Sequence, residues 1–400
     1  MQYNMRVIEI KSQSQARQEV ETVRCDPAGA AIMSNKAAFK TIKVENVVSK
    51  AALILKQTFL SKGGEASVSR GAADYSDPYT DVLLSGTLKH FKQCIPQLKV
   101  QPWGLKKLAE ELEAVIAADE KFPQRTYKLG AHTLTISPEK TLIMGILNFT
   151  PDSFSDGGKF NNMDAALKHV EQMIEAGADI IDIGAESTRP YGSQKITADA
   201  ELARLMPVLE KVLNISSIPV SIDTYKASVA RNALKAGAHI INDIWGLQYD
   251  PEMANVVAEY NAPVIIMYNQ GEADYQRDIM SHMLEVLRRS IELGEQAGIS
   301  SDNFIVDPGI GFVKKLSDNF TIMSRLDELR SLGCPVLLGT SRKRFIGETL
   351  NVPADDRVEG TAATVALGIA KGANIIRVHD VREMARVARM TDAIIKAKYQ

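Results

Sequence analysis

The stretch Leu142–Gly158, LIMGILNFTPDSFSDGG, decides the reading of this chain. An apolar run, Leu142-Ile143-Met144-Gly145-Ile146-Leu147, ends at Asn148. A polar loop with Pro151, Asp152, Ser153, Ser155, Asp156, Gly157 and Gly158 follows. A short aliphatic run bounded by turn-forming residues is the pattern of a parallel strand buried on both faces. It delivers a carboxamide and a polar loop to one end of a sheet.

The same rhythm of strand, loop and helix repeats to the C-terminus. Strands are expected at Leu142–Leu147, Ile180–Ile183, Val220–Ile222, Ile240–Ile241, Val264–Met267, Phe304–Val306, Val336–Leu338 and Ile375–Val378. Helical patterns follow, among them Met163–Ala176, Glu201–Leu213, Lys226–Ala236, Asp278–Ala297 and Val381–Lys398. Alternating β and α elements imply parallel strands with right-handed crossovers. Eight such units from about residue 140 to residue 400 fit a closed (β/α)8 TIM barrel in the α/β class. An open sheet would usually carry a Gly-rich nucleotide turn, and neither GxGxxG nor GxxxxGK[ST] occurs.

Residues 1–122 read as a separate α+β domain, and residues 123–400 as the barrel with an N-terminal hairpin. Expected elements in the first part are strands at Asn4–Ile10, Ala30–Met33, Glu65–Ser69 and Asp81–Leu84. Helices are expected at Ser14–Val23, Val44–Leu60, Gly86–Leu98 and Leu105–Ala118. Gly63-Gly64 either stops a helix or opens a cradle for an anion. Tyr127–Ile136, YKLGAHTLTI, alternates about Gly130-Ala131 as a hairpin closing the bottom of the barrel.

Composition narrows the function classes. The net charge of −2 over 400 residues argues against a nucleic-acid binder driven by a basic field. No apolar run approaches the roughly 20 residues that span a bilayer, and MQYNMRVIEIKSQ lacks the pattern of a signal peptide. Cys25, Cys94 and Cys334 are odd in number and widely spaced, as expected of reduced thiols in a cytoplasmic protein. His90, His132, His169, His239 and His282 have no motif around them, and the run Arg386–Arg389 reads as a solvated helix face.

Catalytic groups of such barrels sit at the C-terminal ends of the strands. Here those ends carry Asn148; Glu186-Ser187-Thr188-Arg189; Asp223-Thr224; Asn242-Asp243; Tyr268-Asn269; Asp307-Pro308-Gly309; Ser341-Arg342-Lys343; and Arg377-Val378-His379-Asp380. There is neither a paired-His metal motif nor a nucleophile elbow. Asp223, Asn242, Asp307 and Lys343 suit the donors and acceptors of a flat heterocycle. Arg189, Arg377 and His379 suit an anion. The Asn148 carbonyl oxygen suits a hard cation as well as an ordinary loop hydrogen bond.

The segments MGILNFTPDSFSDGG, DIGAESTRP, VSIDT, INDIWG, DPGIGF, GTSRKRFIG and IRVHDV, in this order, resemble the dihydropteroate synthases of folate biosynthesis. The likeness spans about 260 residues, from roughly Leu142 onward. It implies condensation of 6-hydroxymethyl-7,8-dihydropterin diphosphate with 4-aminobenzoate, releasing pyrophosphate. On the matching positions it implies that Asp223, Asn242, Asp307 and Lys343 bind the pterin ring, and that Asn148 helps hold Mg2+. Thr188, Arg377 and His379 would contact the diphosphate or its neighbourhood, Arg189 would be attracted to it, and Phe154 and Pro190 would line the aminobenzoate pocket. The helix starting near Arg342 would offer its dipole to the aryl carboxylate. The likeness also favours a homodimer through late helices.

Ala185, Tyr191 and Tyr268-Asn269 depart from the family's usual Gly, Gly and Met-His. Trp245 reads as packing beneath the barrel mouth. A pterin-dependent methyltransferase of the same superfamily, or a non-catalytic partner protein, are the alternatives. The diphosphate-binding residues argue against the first, and intact Asn148, Lys343 and Arg377 against the second.

Overall fold

The computed structural model describes residues 4–120, 124–149, 159–187, 195–269, 278–313 and 315–397. The chain divides into two compact units, Met1–Lys121 and Phe122–Lys398.

In the first unit β1 (Phe39–Val48), β2 (Glu65–Ser67) and β3 (Tyr79–Thr87) form an antiparallel sheet in the order β1-β3-β2. Val82 and Leu84 of β3 pack with Leu55, Phe59, Phe91, Leu98 and Leu112 from the helices Ser49–Ser61, Leu88–Leu98 and Leu105–Glu120. Three expectations fail here. Asn4–Ile10 forms no regular element. Ala30–Met33 lies in a helix, Pro27–Ala37, because Asp26 caps it through Gly29 N–H and Pro27 occupies its first turn. Val44–Val48 belongs to β1 rather than to the following helix. There a bulge at Asn46 (φ 56°), whose N–H donates to Asp81 Oδ1, lets the strand run on to Val48. The Gly63-Gly64 pair ends a helix. Both N–H groups donate back, to Leu60 O and Phe59 O, and so do not line an anion cradle.

In the second unit the hairpin β4 (Arg125–Leu129) and β5 (His132–Ile136) precedes eight parallel strands. These are β6 (Leu142–Asn148), β7 (Ile180–Gly184), β8 (Val220–Asp223), β9 (Ile240–Asp243), β10 (Val264–Met267), β11 (Phe304–Asp307), β12 (Leu337–Leu338) and β13 (Ile375–Val378). Their order is β11-β10-β9-β8-β7-β6-β13-β12. A parallel bridge between Val306 and Val336 joins the last strand to the first, closing the barrel. Several strands run past the expected aliphatic run to include its polar terminus: Asn148, Asp223, Asp243 and Asp307. Hairpin residues Tyr127, Leu129, Leu134 and Ile136 are buried with Leu142, Met144, Ile180, Ile240, Ile265, Ile305, Leu337 and Ile375, which seals the barrel at the N-terminal end of its strands. The outward residues pack against the helices in one larger core.

Candidate active site

Strand alternation decides which side chains meet inside the barrel. Ile180, Ile240, Ile305, Leu337 and Ile375 share one interior layer. Two residues further along the same strands come Asp182, Asn242, Asp307, Gly339 and Arg377. Period two therefore carries an apolar floor directly into a polar layer.

Arg377 is the clasp of that layer. Its Nε donates to Asp182 Oδ2 at 2.7 Å and its Nη2 to Asp223 Oδ2 at 2.7 Å. Asn242 Nδ2 donates to the same Asp182 oxygen at 3.1 Å. Asp182 is fully buried, and Asp223, Asn242 and Asp307 nearly so. Asp182 Oδ1 and Asp223 Oδ1 are buried with no hydrogen-bond partner among the described residues. An unsatisfied buried carboxylate oxygen is costly, so these atoms mark where a donor-bearing ligand gains most. Burial pushes the Asp223 carboxyl upward, against the pull of Arg377. Burial likewise raises Asp307 to about 6, opposed by the Gly309 N–H that donates to its Oδ1 at 2.7 Å and by Lys343 and Arg377 nearby. Gly309 holds φ +67°, and a Cβ there would lie 2.0 Å from Tyr268 O, so only glycine fits this turn.

The other expected residues ring the layer. Asn148 ends β6 beside Asp223: Asn148 Oδ1 and Asp223 Oδ2 would lie 3.6 and 3.8 Å from a Cβ on Gly184, so glycine keeps the space between them open. Lys343 precedes the short helix Arg344–Leu350, with Nζ 4.3 Å from the Phe312 ring centroid. His379 N–H donates to Ser341 Oγ at 3.2 Å, and its Nδ1 lies 3.0 Å from that oxygen. Burial, with Arg377 and Arg342 near, pushes His379 down to about 3. It is a neutral imidazole here. The Ser341 hydroxyl can donate to Nδ1 or accept from it, and in either case it ties the imidazole to the backbone of its own strand end. Phe154, Thr188, Arg189, Pro190 and Tyr191 lie outside the described residues.

Sequence reading passed over Asp182. Its signal is an acid amid aliphatics, Ile180-Ile181-Asp182-Ile183, in a strand whose neighbours bury both faces. Tyr268, one of the departures from the family pattern, does not face the polar layer. Its ring is buried in the outer core, with its hydroxyl 2.8 Å from His282 Nδ1. His239 is likewise structural, its Nδ1 accepting from Val220 N–H and its ring 5.0 Å from that of His132. Trp245 is half-buried, its ring 5.6 Å from Tyr249, beside Tyr225, Ile244 and Met267. Among the described residues no helix is long and apolar enough to cross a membrane.

Comparison with known proteins agrees with this arrangement. Residues 144–379 match the model of a pterin binding enzyme family. The dihydropteroate synthase of Bacillus subtilis is 54% identical over 257 residues, which cover 64% of this chain and 90% of that protein. A probable bifunctional folylpolyglutamate synthase/dihydropteroate synthase of Halobacterium salinarum is 38% identical over 392 residues, covering 96% of this chain and 46% of that longer protein. A crystal structure of the Clostridium difficile dihydropteroate synthase with pteroic acid superposes with a TM-score of 0.63 at 51% identity, covering 64% of this chain and 97% of that one.

Proposed function

The chain belongs to the pterin-binding enzyme family, and we infer that it is a dihydropteroate synthase, a transferase acting on small molecules. It condenses 6-hydroxymethyl-7,8-dihydropterin diphosphate with 4-aminobenzoate to give 7,8-dihydropteroate and pyrophosphate. The observation that carries this reading is the buried layer Asp182, Asp223, Asn242, Asp307 and Arg377, with two carboxylate oxygens unsatisfied among the described residues. A reduced pterin offers ring N–H and amine donors to such acceptors, and Lys343 offers a donor in return.

In this reading the ring is held against Asp223, Asn242 and Asp307, and the exocyclic carbon points to the barrel mouth. Bond breaking to the diphosphate leaves a carbon conjugated with the electron-rich ring. The carboxylates beneath favour the positive charge that develops there. The aryl amine attacks that carbon and no protein nucleophile is used. Ser341 holds the neutral His379 imidazole through Nδ1, and the other ring nitrogen would serve the diphosphate. Thr188 and Arg189 would add donors to it, and Phe154 and Pro190 would line the arylamine pocket.

A Mg2+ ion fits this donor set if it arrives on the diphosphate. Among the described residues no group of three or more His, Cys, Asp or Glu is arranged to hold a metal. Mg2+ commonly takes most of its ligands from substrate oxygens and water. Asn148 Oδ1, beside Asp223, would supply a protein oxygen. When bound, the ion would neutralise leaving-group charge. A homodimer and a cytoplasmic setting complete the proposal. Leu350, Leu367, Met390 and Ile394 on late helices are exposed apolar residues that a partner subunit would cover, and three free cysteines suit a reducing compartment.

The test is pyrophosphate release from the pterin diphosphate with Mg2+, with and without 4-aminobenzoate. Release that depends on the aryl amine is expected. No release with both substrates present would overturn the reading.

A further inference from the structure

Asp182 serves two residues with one oxygen. Its Oδ2 accepts from Arg377 Nε at 2.7 Å and from Asn242 Nδ2 at 3.1 Å. Arg377 also has Asp223, at 2.7 Å from its Nη2, so holding the guanidinium does not account for the bond to Asn242. The Asp182 side chain is fully buried, and its Oδ1 has no partner among the described residues. An acid kept that way adds little to the stability of a core strand.

The Asn242 backbone is fixed without Asp182. It lies in register between Asp223 of β8 and Ile265 of β10, and its carbonyl accepts from Thr224 N–H at 3.1 Å. The side-chain carboxamide is different. Its last torsion is soft, and its two ends are alike in shape but opposite in hydrogen bonding. Among the described residues Asp182 is the one hydrogen-bond partner of this carboxamide. An oxygen that faces a guanidinium on one side meets Asn242 as an acceptor. It therefore holds the NH2 end and leaves the carbonyl oxygen, Oδ1, for a ligand.

That direction matters to a pterin. Its pyrimidine edge carries a bare ring nitrogen, an acceptor, beside an exocyclic amine, a donor. When a carbonyl replaces the amine, the edge carries a ring N–H beside an oxygen, so donor and acceptor change places. A carboxamide free to turn over serves either edge. One held from behind serves only one of them.

We propose that Asp182 is a positioning residue that fixes the direction of the Asn242 carboxamide, and so makes the site select a 2-amino ring over its 2-oxo counterpart. The proposal rests on the synthase reading, in which the ring lies against Asn242.

The test measures, by calorimetry, the Kd of 6-hydroxymethylpterin and of its 2-oxo counterpart. The proteins are wild type, Asp182→Asn, Asn242→Ala and the double variant Asp182→Asn/Asn242→Ala. Wild type should prefer the amino ring about a hundredfold or more. Asp182→Asn, whose own amide can donate or accept, should lower that preference about tenfold. In the Asn242→Ala background the same change should alter the preference by less than about twofold. Losses equal for the two rings would reduce Asp182 to an ordinary structural residue. A tenfold change that persists without Asn242 would mean that Asp182 acts by another route. Either result overturns the proposal. Neutron diffraction of the unliganded wild type gives a readout that does not depend on the folding of any variant. The Asn242 NH2 should face Asp182 Oδ2 in a single orientation, and a reversed or mixed amide overturns the proposal. If wild type binds neither ring, the synthase reading falls and the selection falls with it. If wild type selects and Asp182→Asn selects equally well, the reading stands and only this proposal falls.

Discussion

The lower and upper layers of the barrel interior lie on the same strands, two residues apart, and do opposite things. In the lower layer Ile180, Ile240, Ile305, Leu337 and Ile375 meet the hairpin residues Tyr127, Leu129, Leu134 and Ile136 in an apolar seal. In the upper layer Asp182, Asn242, Asp307 and Arg377 stand on those strands with their polar groups mostly removed from water. The seal gains free energy from burial. The polar layer costs free energy, recovered only where Arg377 pairs and where a ligand supplies the missing donors. Stability and function are thus separated by one strand period, which makes the comparison open to single substitutions.

The largest effect is expected at Arg377. Arg377→Met leaves Asp182 and Asp223 buried without their cation, and should cost about 3–5 kcal/mol of stability together with most pterin binding. Denaturant unfolding and calorimetry measure the two losses. A stable variant that still binds pterin would show that the clasp is incidental. Ile305→Ala, in the seal, should cost about 2–4 kcal/mol of stability, with the pterin Kd of the folded protein unchanged. A matching fall in pterin affinity would mean that the layers are coupled, not separate.

Lys343→Met should behave inversely to Ile305→Ala. Stability should hold while pterin binding weakens by roughly 1.5–3 kcal/mol, because methionine keeps the length and removes the donor. Unchanged affinity would remove Lys343 from the site. Asp307→Asn sharpens the comparison through pH. Burial raises the Asp307 carboxyl from 3.8 to about 6, so the folded state binds its proton more tightly than the unfolded chain does. The wild type therefore loses stability as pH rises from about 4 to about 6, by linkage. The asparagine variant lacks that loss, and should be more stable than wild type at pH 7 by up to about 3 kcal/mol, with no gain at pH 4. Its pterin binding should fall at pH 7. A variant less stable at pH 7 would contradict this cost of the upper layer. The smallest effect is expected from removing the first unit. The second unit holds all eight strands and the hairpin, so a chain beginning at residue 122 should fold and keep its kcat. A folded but inactive product would assign the first unit a part in catalysis.

Much of the barrel is legible in sequence because its strands are buried on both faces and appear as aliphatic runs with polar ends. The first unit is less legible. β1 is only half-buried, its Lys40 ammonium tied at 2.6 Å to Asp119 and Glu120. Its weak alternation, Phe39-Lys40-Thr41-Ile42-Lys43-Val44, merges with the apolar pattern of the next helix. The Ala-rich segment after Asp26-Pro27 is a helix whose cap was written in the sequence and outweighed by its small side chains.

The sequence by itself determined the order of the eight strands, the polar residue at the end of each and the hairpin beneath them, since each follows from periodicity within a few neighbouring residues. Only the tertiary structure decided how those residues pair. Arg377 meets partners 195 and 154 positions away, Asp182 and Asp223, because closure returns β13 beside β6 and brings the interior ends of β7 and β8 within reach. Tyr268 turns outward to His282 for the same kind of reason: it follows the inward-facing Met267, so alternation sends it to the helices. Local pattern fixes which face a side chain takes, and barrel closure fixes whom it meets there.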